Sequence, residues 1–412
     1  MSNKYSDYYS YKSEYLKYKS KYITLKNMYG GGGEEDENKS KSSMKETSPN
    51  ILDDVSSSRW QKPETIDAYN NSMNSSMSEK LKQIISKFPD TMPDGSVIVD
   101  FGTGTGLLAI DLAIHFPQCI IIGTDYLQDY VDLSFENLKN KRLKMGQEII
   151  NINFHQLDSN EPIYNFIGPD ETKVTPYIIF FSSVVHEIYS YTPVEKTMNP
   201  LEKEIIRKNR VKECFNKCYT SLKQDGIIII RDFCGPINRN DNFCVLTTHE
   251  NIEPRFSFEE FSKKFGLEVS SSGDSFNRFD ISPILCSKIK KCTTDFSYLT
   301  NMSSVYEYIF HKDFHENWTQ ELNERYGFWT ELEAVHLLKL AGFENICYDI
   351  LSGEWIKNNR FFNKISVKLI KNENLLDTPK CNEHNEDFPQ YQILIKAIKS
   401  NKLQLLRRVN TI

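Results

Sequence analysis

The stretch VIVDFGTGTGLLAIDLA, Val97 to Ala113, constrains this chain more than any other segment. An apolar run with strand character leads straight into Gly102, Gly104 and Gly106, spaced at alternate positions, and a helix-like run begins at Leu107. Glycines between a strand and a helix let the backbone approach a ligand at the helix N-terminus. In a parallel sheet that junction lies at the carboxyl edge, where ligands bind. Two familiar glycine patterns do not fit. The third glycine of GxGxxG falls at Leu107, and no lysine follows Gly106 as a phosphate loop of the GxxxxGK[ST] type requires. What remains is Asp100-x-Gly102-x-Gly104-x-Gly106, which either serves a ligand or only makes a turn.

Strands and helices alternate on both sides of this point. The spacing predicts strands at Val97–Phe101, Ile120–Gly123, Ile149–Phe154, Tyr177–Phe181 and Ile227–Ile230, with helices over Leu107–Phe116, around Leu127–Leu138 and from about Leu201 to Leu222. A further helix precedes the first strand, capped by Ser78 and carrying Leu81, Ile84, Ile85 and Phe88 on one face. Near-continuous apolar strands separated by amphipathic helices predict an α/β fold with a parallel sheet covered on both faces. The alternation stops at Pro236 and resumes with TELEAVHLLKLAGFE, followed by strands near Ile346–Ile350 and Ile365–Ile370.

That pattern divides the 412 residues into an amphipathic helix at 1–29, a flexible linker at 30–58 and a core at 59–235. A cap or substrate insertion follows at 236–329, then a last helix and strands completing the core sheet at 330–371, and a polar tail at 372–412. A terminal helix is expected around Tyr391–Leu406. A net charge of −6 gives no general drive toward nucleic acid or anionic membrane. No apolar run is long enough to span a bilayer, and no signal region opens the chain, so a soluble intracellular protein is expected. The nine cysteines include no CxxC pair. Cys214 and Cys218, four apart on the long helix, read as core residues.

The glycine pattern resembles motif I of class I S-adenosylmethionine-dependent methyltransferases, and the resemblance continues in register. IIIGTDYL ends the second strand with Asp125, nineteen residues after Gly106. FHQLDS ends the third with Asp158, SLKQDGIIIIRDF matches the helix-turn-strand before the fifth, and TELEAVHLLKLAGFENI matches the late helix and sixth strand. The match covers roughly 90–235 and 330–371. It implies a Rossmann-like, mostly parallel seven-stranded sheet with an aromatic-rich helical cap, and S-adenosyl-L-methionine as cofactor. It further implies that Gly102, Gly104 and Gly106 line the cofactor, that Asp125 accepts the ribose hydroxyls, and that Asp100 reaches the methionine amino group or caps the glycine turn from its own strand end. Asp158 contacts the adenine amino group or merely caps its loop. Tyr126 and Leu127 pack on adenine or belong to the core.

The fourth strand ends in SSVVHE where nucleobase amino methyltransferases carry Asn/Asp-Pro-Pro-aromatic, which argues against adenine or cytosine amino methylation. Ser182 or Ser183 donates to the methionine end of the cofactor or caps the turn. His186 is a candidate general base, with Glu187 orienting it or taking the proton itself; the plain alternative is that His186 starts a helix and bonds backbone. The implied reaction is methyl transfer to oxygen or nitrogen of a small molecule or protein side chain. RNA methylation and a catalytically silent cofactor-binding module stay open as alternatives.

The insertion carries SVYEYIFHKDFHENWTQELNERYGFWT, whose aromatics form the cap's own core or line an acceptor pocket. His311 and His315 are spaced as in zinc-protease helices, but Lys312 stands where the catalytic glutamate would, so no metal is expected. Before the first strand, Tyr69 is a candidate lid residue. At the N-terminus, Tyr8, Tyr11, Tyr15, Tyr18, Tyr22, Leu25 and Tyr29 make a helical stripe ended by Gly30 to Gly33. This segment resembles the Tyr/Lys-rich N-terminal helices of giant amoebal DNA virus proteins. That resemblance implies a viral protein of host cytoplasm or virion, in which the helix either docks a partner or folds on its own body.

Overall fold

The computed structural model describes residues 76–400 apart from 196, 236–242, 249–255, 266–267, 271–287, 292–296, 313–321, 353–354, 356, 362–363 and 370–390. The N-terminal tyrosine stripe, the linker, Tyr69, His315 and the stretch beyond residue 400 lie outside the described residues.

A seven-stranded sheet forms the core. It contains β1 (Val97–Phe101), β2 (Ile120–Asp125), β3 (Ile152–Gln156), β6 (Ile178–Ser182), β7 (Ile227–Phe233), β12 (Glu344–Leu351) and β14 (Gln392–Ile398). Their order is β12-β14-β7-β6-β1-β2-β3, while β4 (Phe166–Ile167) and β5 (Lys173–Val174) pair apart from it as a short antiparallel ribbon between β3 and β6 in the chain. The strands from β7 to β3 pair in parallel, and β14 runs antiparallel to both of its neighbours. This is the Rossmann-like, mostly parallel sheet expected from the strand-helix alternation. The chain leaves β1 toward β2 and β3, then returns to β6 on the other side. That reversal is the point at which open α/β sheets leave a crevice at their carboxyl edge.

Helices cover both faces because the strands are apolar on both. One face holds Ile98, Ile121, Phe180 and Ile229 against a helix at residues 76–85 (α1), α2 (Leu107–His115) and α3 (Gln128–Met145). The other holds Val99, Ile122, Phe181 and Ile230 against α4 (Val185–Ser190), α5 (Pro200–Ser221) and α8 (Glu331–Leu340). Asn199 with Glu202 and Thr330 with Glu333 form reciprocal capping boxes that start α5 and α8. Cys214 and Cys218 are fully buried in this second layer, as the spacing suggested.

Two expectations are corrected. The terminal helix expected around Tyr391–Leu406 is instead the strand β14, inserted between β7 and β12. Ile393, Leu394, Ile395 and Ala397 are all buried there, so the run QILIKAI is apolar on both faces, a pattern that periodicity alone cannot tell from a short helix. The strand near Ile365–Ile370, expected in the core sheet, is β13 (Ile365–Leu369) and pairs with β8 (Phe243–Thr248) in a second sheet. That five-stranded sheet, with β9 (Glu268–Ser270), β10 (Lys288–Lys291) and β11 (Ser297–Asn301), is the base of the insertion. Two helices, α6 (Phe258–Phe265) and α7 (Met302–His311), complete it. Phe256, Phe258, Phe261, Tyr306, Tyr308 and Phe310 fill its own core, so the aromatics of the insertion close on one another.

Candidate functional site

The glycine loop closes the carboxyl end of β1. Gly102, Gly104 and Gly106 all have positive φ, at 73, 55 and 74°, a conformation that side chains rarely adopt. Space is a second reason for glycine at two of them. A Cβ on Gly102 would stand 2.6 Å from a methyl of Val184, and one on Gly106 would stand 2.7 Å from Ser134. The loop is also tied from outside. Ser134 Oγ donates to the Gly104 carbonyl at 3.0 Å, and Asn137 Nδ2 donates to the Thr105 carbonyl at 2.9 Å. The following helix α2 begins on Gly106 with no side-chain cap and no acid in its first turn. Its first N–H groups therefore keep their capacity for a ligand acceptor.

Two acids frame this loop. Asp125, at the end of β2, accepts from Gly104 N at 2.9 Å through Oδ2 and from Leu127 N at 3.1 Å through Oδ1. Each carboxylate oxygen can accept again, so bonds to a pair of vicinal hydroxyls remain available. Burial pushes its pKa up to about 6, against the pull of those backbone N–H groups. Asp100, at the end of β1, accepts from Thr103 Oγ1 at 2.8 Å. Burial pushes it up to about 7, and the Asp125 charge adds to the rise, while the Thr103 bond and the Lys80 charge on α1 oppose it. Tyr126 is 41% exposed and Leu127 is half-buried, side by side beyond Asp125.

Asp158 stands in the loop after β3 and bonds its own turn. Oδ1 accepts from Asn160 N at 2.8 Å and Oδ2 from Asn160 Nδ2 at 3.1 Å. Of the two roles open to it, the loop cap is the one its hydrogen bonds display. At the end of β6 the two serines differ. Ser182 Oγ is buried with no hydrogen-bond partner. Ser183 takes φ 62°, unusual outside glycine, and its Oγ accepts from Arg231 Nη1 at 3.1 Å.

His186 is on α4, at the junction of core and insertion, and both its ring nitrogens are engaged. Nδ1 lies 2.8 Å from Asp232 Oδ1 and Nε2 lies 3.5 Å from Glu324 Oε2, all three side chains being buried. Tyr326 lies over the imidazole with ring centroids 4.6 Å apart. Burial works to lower the imidazole pKa. The charge and hydrogen bond of Asp232, and then those of Glu324, overcome it and hold the ring well above its ordinary value. A histidine held as the cation between two carboxylates has no lone pair with which to take a proton from an acceptor. The geometry is therefore that of a clamp. Glu187, in the first turn of the same helix, is half-buried. In the insertion, His311 is fully buried with Nδ1 at the Glu307 carbonyl, and among the described residues no group of His, Cys, Asp and Glu is arranged to hold a metal.

The residues that sequence reasoning missed are Arg231, Asp232, Glu324 and Gln83. The run IIIIRDF carried a signal for the first two, since an apolar central strand ending in adjacent opposite charges must find partners for both. Glu324 and Gln83 stand in ordinary polar surroundings in the sequence, with nothing to mark them.

No protein-family model matches the chain. The release factor glutamine methyltransferase of Aliivibrio fischeri is 37% identical over 71 residues, or 17% of this chain. That match spans 23% of the relative's length. Among solved structures, a Bacillus halodurans protein assigned as a methyltransferase is similar over 79% of this chain and 100% of its own, at 11% identity and a TM-score of 0.38. Phosphoethanolamine N-methyltransferase 2 of Haemonchus contortus, solved with S-adenosyl-L-methionine, is similar over 78% of this chain and 53% of its own, at 11% identity and a TM-score of 0.37. These TM-scores lie below 0.5, and the order of strands in the sheet defines the fold independently of them. No helix among the described residues is long and apolar enough to cross a membrane.

Proposed function

We propose that this chain is an S-adenosylmethionine-dependent methyltransferase acting on oxygen or nitrogen of a small molecule or a protein side chain. The observation that carries the reading is the loop at 102–106. Three left-handed glycines bend the backbone at the switch point of the sheet, and a buried acid from the next strand holds that bend through Gly104 N. The residues present suit the cofactor. Asp125 keeps acceptor capacity for the ribose hydroxyls, Asp100 offers a carboxyl for the methionine amino group, and Ser182 Oγ has a free bond for the methionine end. Tyr126 and Leu127 would flank adenine, with Asp158 a further candidate for its amino group.

When bound, the cofactor would supply an electrophilic methyl on a sulfonium, for displacement by an acceptor lone pair with the C–S electrons staying on sulfur, and the acceptor would have a proton to lose. For such an in-line displacement the protein's tasks are alignment and exclusion of water. We assign His186 to alignment: clamped by Asp232 and Glu324, it fixes α4 and the segment around residue 324 to β7. Glu187, half-buried in the first turn of the same helix, is the remaining candidate to take a proton. The basic run at 139–144 lends little to an RNA acceptor, since Lys141 pairs with Asp111 and Arg142 with Glu148.

Calorimetry with S-adenosylhomocysteine tests the reading. The wild type should bind, and Asp125→Ala should bind about 10- to 100-fold more weakly, the loss of hydrogen bonds to a charged acceptor. Equal affinities in the two would remove Asp125 from the site. Transfer of label from methyl-labelled S-adenosylmethionine to fractions of a cell extract then identifies the acceptor class.

A further inference from the structure

Three polar side chains share one face at the carboxyl edge of the core sheet. In β1, β6 and β7 that face carries Ile98, Phe180 and Ile229, which belong to the core shared with α1 and α2. Two residues further along each strand stand Asp100, Ser182 and Arg231, and the alternation of side chains puts them on the same face. Ser182 and Arg231 are direct neighbours in the parallel register of β6 and β7.

Arg231 is only 4% exposed, yet its charge is poorly met. Nε donates to Gln83 Oε1 at 2.6 Å and Nη1 to Ser183 Oγ at 3.1 Å, both neutral acceptors. A guanidinium has five donors. Glu79 and Asp232 act on it electrostatically, but the Asp232 carboxylate is taken by His186, and Glu79 accepts from Gln83 Nε2 and Trp355 N. Among the described residues no carboxylate forms an ion pair with Arg231. A buried cation without a counter-ion is costly, and so is a buried hydroxyl without a partner. Here the two are neighbours, and the residue between Ser182 and the next helix, Ser183, is held in a strained backbone conformation.

We propose that Arg231 and the Ser182 hydroxyl form a carboxylate-binding site between β6 and β7. The planar fork of an arginine suits a carboxylate, and the orphan hydroxyl supplies one further donor. The proposal deepens the methyltransferase reading and rests on it for the occupants of the cleft. Two sources offer that chemistry: the methionine end of the cofactor, reached from Asp100 across β6, and a carboxylate on the methyl acceptor.

The test uses the full chain as wild type, Arg231→Met and Ser182→Ala. Calorimetry compares S-adenosylhomocysteine with 5′-methylthioadenosine, which lacks the amino-acid end. If the cofactor is the source, the wild type prefers S-adenosylhomocysteine strongly. Arg231→Met then narrows that preference by about 10- to 100-fold, and Ser182→Ala narrows it by roughly 3- to 10-fold. If the acceptor is the source, S-adenosylhomocysteine binds all three alike, and acetate added to the saturated protein raises the Tm of wild type but not of Arg231→Met. Ser182→Ala keeps the proposal open to refutation should Arg231→Met fail to fold. It removes a hydroxyl that bonds nothing, so its ligand-free Tm holds or rises while its binding of the carboxylate weakens. Three proteins with the same preference between the two nucleosides and no response to acetate would overturn the site. A wild type that binds neither nucleoside would sink the cofactor reading instead, and the acetate titration of the ligand-free protein would then decide the carboxylate site alone.

Discussion

Two buried polar clusters stand at the same edge of the sheet, and they are built on opposite terms. In the glycine loop, Asp100 and Asp125 are met by backbone N–H groups and one hydroxyl, and burial lifts both toward neutrality. At the junction with the insertion, His186 lies between Asp232 and Glu324, and further donors complete the two acids. Phe233 N donates to Asp232 Oδ1 at 2.7 Å and Tyr191 Oη to Glu324 Oε1 at 2.8 Å. The first cluster has hydrogen-bonding capacity left for a ligand. The second has spent its capacity on joining two layers of the fold. A conspicuous histidine beside a cleft is thus a poorer guide to chemistry than acids that the protein itself leaves half-satisfied.

The largest effect should come from breaking the completed cluster. Asp232→Ala leaves a buried imidazolium with one distant partner, and removing one member of a buried pair costs about 3–5 kcal/mol. Urea unfolding at neutral pH should register that loss. The pH dependence carries the same signature. The folded-state pKa of His186 is raised, so its stabilisation is fully present below the unfolded value near 6.5 and is lost as pH rises through the folded value. Asp232→Ala should therefore flatten the alkaline branch of the stability curve. A variant as stable as the wild type at neutral pH, or one whose stability falls with alkaline pH as steeply as the wild type's, would mean the clamp does not join the layers.

Substitution in the glycine-loop cluster should act with the opposite sign, stabilising rather than destabilising, although the pH slope runs the same way. Asp100 has a folded pKa near 7 against an ordinary value near 4, so the native state holds a proton that the unfolded chain has already lost. Its contribution to stability therefore falls as pH rises from about 4 to 7 and stays low above that. Asp100→Asn keeps the shape without the charge, so the ligand-free protein should gain about 1–3 kcal/mol at pH 8 and almost nothing at pH 4. The same variant should bind S-adenosylhomocysteine less well, because an amide is a poor partner for an ammonium group. A Tm at pH 8 equal to wild type would show that the buried carboxyl costs nothing there.

The same contrast separates what could be read from the chain and what could not. The parallel strands β1, β2, β3, β6 and β7 and the glycine loop were legible because their signals are local: continuous apolar runs, positive-φ residues and an acid at a fixed distance. β14 was misread as a helix because seven apolar-rich residues carry no decisive period, and its place between β7 and β12 depends on pairing across more than 150 residues. The clamp escaped for a similar reason. His186 was visible, but its partners come from β7 and from residue 324, and only folding brings those carboxylates onto the ring. Arg231 is visible beside Asp232 at the end of an apolar run, but the counter-ion it lacks is a property of the fold and not of the sequence.

The smallest effect sharpens the comparison at the open end of the glycine loop. Tyr126 follows Asp125 directly and is 41% exposed, and its backbone carbonyl accepts from Gln156 Nε2 at 2.8 Å whatever the side chain does. Truncation to alanine should thus change stability by no more than about 0.5 kcal/mol. If the ring lies against adenine, an aromatic contact worth about 0.5–1.5 kcal/mol is lost, a fall in affinity of roughly 2- to 10-fold. That fall should be equal for S-adenosylhomocysteine and 5′-methylthioadenosine, since both carry the base. Arg231→Met acts at the other end of the ligand and should separate the two nucleosides under the cofactor-source reading. A Tyr126→Ala protein that loses affinity for S-adenosylhomocysteine alone would move the tyrosine from the adenine to the amino-acid end, and the loop's orientation toward its ligand would have to be reversed.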